Sequence, residues 1–129
     1  MEIFKKTVQL QTSKKLQDIV DGFANSLQFK GWKVQSNVQN GQAVLQAVKA
    51  GFLRDIISAD RALTFVFKQP DGSSNLEVDV GVGKLVQNLA VTAIEVLLLS
   101  DIFIFIDIPE ILWTKHVETE LLQELHAQL

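Results

Sequence analysis

A chain of 129 residues, 47% apolar and 21% charged, is long enough to bury one core and too short for two comfortable ones. The absence of cysteine excludes disulfides, thiolate metal sites and thiol nucleophiles. The net charge of −3 is uneven: residues 1–84 hold eleven Lys/Arg against eight Asp/Glu, and residues 85–129 hold Lys115 alone against seven acids. Neither part clusters its bases as a phosphate-binding surface must, so nucleic acid is not an expected partner.

The opening "MEIFKKTVQL" has no long apolar core and no small-residue cleavage site. No signal peptide is expected, and the expected location is cytoplasmic. Ile3 to Leu10 alternates with period two, Phe4, Val8 and Leu10 on one face, which predicts a strand. Lys6 is the exception on the apolar side. Thr12 and Ser13 offer caps for a helix whose Leu16, Ile19, Val20, Phe23 and Leu27 form one stripe. Gly31 suits a left-handed stop, with Trp32 folding back onto the last turn.

Asn40-Gly41 predicts a two-residue hairpin turn, because both central positions of a type I′ turn need positive φ. That turn opposes Val38 with Ala43, Ser36 with Leu45 and Val34 with Ala47, which sorts the apolar residues of both strands to one face. Lys33, Gln35, Asn37 and Gln46 fall on the other. A second hairpin is expected around Pro70-Asp71-Gly72, pairing Phe67 with Leu76, Phe65 with Val78 and Leu63 with Val80. Between the hairpins, residues 52–60 fit a short helix or a buried connection.

"KLVQNLAVTAIEVLLLSDIFIFIDIP", Lys84 to Pro109, is the longest apolar run. Its spacing predicts a helix from Lys84 that is amphipathic up to Glu95 and apolar all round from Val96 to Leu99. Ile102 to Ile106 is apolar on both alternating faces, so periodicity cannot separate helix from strand there. As a membrane span, fourteen strong hydrophobes contribute about −4 to −8 kcal/mol, and Glu95 and Asp101 return about 5–7 kcal/mol. The sum is near zero before Gln87, Asn88 and Thr92 are counted, so burial in a fold or an oligomer is favoured over a bilayer. Asp107 and Glu110 resemble a capping box for a last helix reaching about Gln128, with Pro109 in its first turn. Its stripe of Ile111, Leu122, Leu125 and Leu129 is broken by Lys115 and Glu118, so this helix is expected at the periphery or against a partner.

Few residues point to chemistry. "GVGK", Gly81 to Lys84, lacks the first Gly and the Ser/Thr of a phosphate loop, and is expected to turn the chain from sheet into helix. His116 and Glu120 stand four apart on a helix without a third metal ligand. Arg54, Asp55, Asp60 and Arg61 suit local surface ion pairs. No nucleophile, metal set or acid/base pair stands out, so neither enzyme activity nor a cofactor is expected.

The order of elements resembles the TATA-binding-protein-like and helix-grip (START-like) folds. "SADRALTFVF" and "VDVGVGKLVQNLAV" look like segments of small bacterial proteins with this arrangement. The resemblance implies no activity and no functional residue. The expected fold is an α+β two-layer sandwich with about five antiparallel strands in β-α-β-β-β-β-α-α order and helices on one face. Residues 1–129 are expected to form one domain, with 100–129 a helical extension. The first functional expectation is a binding or assembly domain that self-associates into a homo-oligomer through Leu98, Leu99, Ile102, Phe103, Ile104, Phe105 and Ile106. The alternatives are a pocket for a hydrophobic ligand, formed by Phe65, Phe67, Val78, Val80, Ile94 and Glu95, and a membrane-surface adaptor.

Overall fold

The computed structural model describes residues 5–52, 60–70, 72–99, 102–104, 108 and 110–129. Strand β1, Lys5–Gln11, leads to helix α1, Leu16–Phe29, whose Leu16, Ile19, Val20, Phe23 and Leu27 are the predicted buried stripe. No side chain caps its first turn. Thr12 instead accepts the Lys14 N–H at 3.1 Å and shapes the approach to the helix. At the other end Gly31 has φ of 96° and the Trp32 N–H returns to the Leu27 carbonyl at 3.0 Å, as the sequence predicts.

Strands β2 (Lys33–Gln39), β3 (Gln42–Val48), β4 (Arg61–Lys68) and β5 (Asn75–Lys84) complete an antiparallel five-stranded sheet in the order β1-β5-β4-β3-β2. Asn40 and Gly41 have φ of 48° and 76°, and the β2–β3 register is the predicted one. The second hairpin differs: Phe67 opposes Val78, Phe65 opposes Val80 and Leu63 opposes Val82. The shift is two residues. An even shift keeps every side chain on its face, so the apolar pattern alone does not distinguish the two registers.

The sheet and its helices form the expected α+β sandwich. One face carries Leu10, Ala43, Leu45, Ala47, Leu63, Phe65, Phe67, Leu76, Val78, Val80 and Val82 against α1 and the C-terminal helices. Phe23 of α1 meets Phe65 edge-on at 5.0 Å between ring centroids and Phe67 at 6.4 Å. Lys6, the exception in the apolar pattern of β1, reaches Glu118 at 2.6 Å.

The last helix is not peripheral. Helix α3 (Glu110–Trp113), a π-helical stretch (Thr114–Leu121) and helix α4 (Leu122–His126) follow one another, and Trp113, Val117, Leu121, Leu122 and Leu125 are buried in the main core. Ile111, placed on the same stripe by the sequence, is 76% exposed. In the wider π turn, bonded i→i+5, residues five apart come onto one face, so Leu122 joins Val117 in the core where a 3.6-residue period would turn it away. The Thr119 hydroxyl donates to the Thr114 carbonyl, five residues back, at 2.9 Å.

The predicted helix from Lys84 is also corrected. β5 continues through Gly81, Val82, Gly83 and Lys84, so "GVGK" is strand and not a turn into a helix. Beyond it come a 3-10 turn at Leu89–Val91 and a short helix α2, Ile94–Leu99. Asn88, with φ of 58°, is in the left-handed region and breaks any helix across it. Of the 52–60 connection, Phe52 stacks edge-on against Trp32 at 4.7 Å between centroids; residues 53–59, with Arg54 and Asp55, lie outside the described residues.

Candidate functional site

Residues 85–99 pass over the second face of the sheet, opposite α1, as a strap. A row of carboxamides fixes their path. Gln35, Asn37 and Gln39 alternate along β2 and so point to one side of the sheet. Gln35 Nε2 donates to the Val86 carbonyl at 2.6 Å. Asn37 Nδ2 donates to the Leu89 and Thr92 carbonyls at 3.0 and 2.7 Å. Gln39 Oε1 accepts the Ile94 N–H at 3.2 Å. Gln46, on β3 and 1% exposed, donates to Thr64 Oγ1 and to the Lys84 carbonyl, while its oxygen accepts from Val86 N–H and Gln35 Nε2. These groups satisfy a backbone that has no helical ladder of its own.

Beneath the strap lies a second, smaller core of Val44, Val66, Leu89, Ile94, Leu97, Ile102 and Phe103, with Val86 and Leu98 at its margin. Phe103 bridges to Gly83, and the Ile104 N–H donates to the Val82 carbonyl at 2.9 Å. Residues 102–104 therefore lie extended beside the last residues of β5, past the point where β1 pairing reaches Gly81. Gly83 makes this approach possible: a Cβ there would stand 2.6 Å from the Ile102 carbonyl oxygen and 2.7 Å from Thr64 Oγ1.

The six expected pocket residues do not surround one cavity. Phe65, Phe67, Val78 and Val80 are fully buried in the main core, Ile94 belongs to the core on the opposite face, and Glu95 is exposed. A groove of about 720 Å³ lies elsewhere, at the start of the strap, between Lys33, Val34 and Val48 on the sheet and Leu85 to Asn88. Among the expected interface residues, Ile102 and Phe103 are buried within the chain, Leu98 and Ile104 are half-buried, and Leu99 is 88% exposed. Phe105 and Ile106, with Asp101 and Asp107, lie outside the described residues. Val96, at the start of the segment read as apolar all round, is 61% exposed one turn before Leu99 on the outer side of α2; sequence reasoning missed Val91, 84% exposed on the strap before it.

His116 packs edge-on against Phe52 at 5.8 Å between centroids and His126 is exposed. Among the described residues no three His, Cys, Asp or Glu are grouped to hold a metal ion, and no helix is long and apolar enough to cross a membrane. No family model, curated protein or solved structure matches the chain.

Proposed function

We propose that this chain is a non-enzymatic assembly domain that self-associates through the outer ridge of α2. The exposure of Val96 and Leu99, a turn apart on a helix whose other side is already used to close a core, carries this reading. Ile102 and Phe103 do not contribute, because the chain buries them itself. A two-fold axis beside the ridge would bring Val96 and Leu99 of one copy onto the same residues of another, the isologous arrangement of most dimers.

The magnitudes set the strength. Covering a Val or Leu side chain is worth about 1.5–3 kcal/mol, so two from each copy give about 6–12 kcal/mol. Association costs about 4–15 kcal/mol in lost motion, which leaves a weak, concentration-dependent complex. Sedimentation equilibrium over a range of concentrations tests it. Leu99→Glu is expected to abolish association through α2, since it would bring two carboxylates to an apolar contact. A wild-type chain that stays monomeric at every concentration sinks the reading.

A further inference from the structure

The outer edge of β2 is a second surface, independent of the α2 ridge. The type I′ turn at Asn40-Gly41 makes Gln39 and Gln42 a pair that exchange main-chain hydrogen bonds, and such pairs recur every second residue. The N–H and C=O groups of Lys33, Gln35, Asn37 and Gln39 therefore point to β3. Those of Val34, Ser36 and Val38 point away from the sheet. The same alternation carried across the sheet places the Val82 carbonyl toward the β1 side, where it accepts the Ile104 N–H at 2.9 Å, and the Gln69 N–H toward β3, where it meets the Gly41 carbonyl at 2.8 Å. Among the described residues no protein group bonds the outward groups of Val34, Ser36 and Val38.

Natural sheet edges are usually blunted by charge, proline or a bulge. The other edge, β1, begins Lys5-Lys6, and Lys6 is tied to Glu118. β2 is less protected: its seven residues KVQSNVQ hold no proline, its pairing with β3 runs unbroken from Lys33 to Gln39, and its one charge, Lys33, stands at its end. α1 packs on one face of β2 and the strap on the other, and its outer edge has no partner strand among the described residues.

We propose that β2 pairs with β2 of a second copy, antiparallel, about a two-fold axis at Ser36. Val34 then opposes Val38 of the other copy, Ser36 opposes Ser36, and each pair exchanges two main-chain hydrogen bonds. The register is self-consistent in three ways. The small Ser36 side chains meet at the axis. Val34 and Val38, each only partly buried in the free chain, cover one another on the α1 side. Lys33 falls opposite the uncharged Gln39, so no like charges meet. The two sheets become one continuous sheet.

Ser36→Pro tests this directly. In the free chain the Ser36 N–H makes no bond to β3, so proline removes no ladder bond there, and an edge position tolerates it. At the proposed axis it removes a donor from each copy and blocks the approach. The Leu99→Glu background isolates the edge from the α2 ridge. That chain is expected to dimerise on concentration by sedimentation, and Ser36→Pro added to it to be monomeric with native circular dichroism. Hydrogen exchange by NMR on the Leu99→Glu chain alone gives a second readout that needs no proline: Val34, Ser36 and Val38 amides gain protection on concentration, while Gln35 and Asn37 are protected throughout. A Leu99→Glu chain that stays monomeric, or that dimerises with these three amides still exchanging freely, overturns the β2 proposal. A wild-type chain that associates while Leu99→Glu does not would leave the α2 reading standing without it.

Discussion

Single residues decide how closely the layers approach. Gly83 is one such case, with no room for a methyl group between the Ile102 carbonyl and Thr64. Gly83→Ala is expected to destabilise the fold by about 1–3 kcal/mol, the usual cost of overpacking. Urea denaturation measures that cost. Loss of exchange protection at the Ile104 amide, whose partner is the Val82 carbonyl, would show that residues 102–104 move rather than β4. The apolar pattern does not mark Gly83 as special. Gly83 was read as part of a turn into a helix, and what approaches it comes from a segment about twenty residues on. Lys6 broke the pattern visibly, and its partner Glu118 became apparent only once the π turn set the facing of the last helix.

Elements were legible where local chemistry allowed one solution. Asn40-Gly41 fixed both turn and register of the first hairpin, and Gly31 fixed the end of α1. The second hairpin has a longer loop, 69–74, and two registers equally compatible with its apolar faces, so the pattern chose the wrong one. The strap was misread for a different reason. Leu85, Val86, Leu89 and Ile94 fit a helical stripe, yet the carboxamides of β2 and β3 bond the same backbone groups in a path that a left-handed Asn88 redirects. Three amides alternating along one strand face were the available signal. Asn37→Ala is expected to cost about 1–3 kcal/mol by leaving the Thr92 carbonyl without its side-chain donor and the Leu89 carbonyl with the Thr92 N–H alone. Asn37→Asp should cost more at neutral pH, because it sets a carboxylate against two carbonyl oxygens. Unfolding curves that rank the two variants the other way would show that Asn37 does not hold the strap.

At the scale of the molecule, the two sides of the sheet are fastened by different chemistry. On the α1 side Glu124 of α4 accepts from Ser26 of α1 and from Lys30 just past its end. The hydrogen bonds from Lys30 and then Ser26 hold its carboxyl below the ordinary value of 4.5. A group whose folded pKa is depressed contributes stability above its unfolded value and loses it as pH falls through the folded one. Stability is therefore expected to decline on acidification below that ordinary value, and Glu124→Gln to flatten this part of the curve. Equal pH slopes for the two chains would exclude the α1–α4 tie as a source of the dependence.

The row of carboxamides on the other side has no proton to gain or lose across that range. Glutamine and asparagine hold the strap with groups that ignore acidity, where aspartate or glutamate would repel the carbonyls and lysine would bring an unpaired charge. Acid should then loosen one side of the sheet and leave the other fastened, so that the first species to open retains the strap, its small core and the ridge of α2.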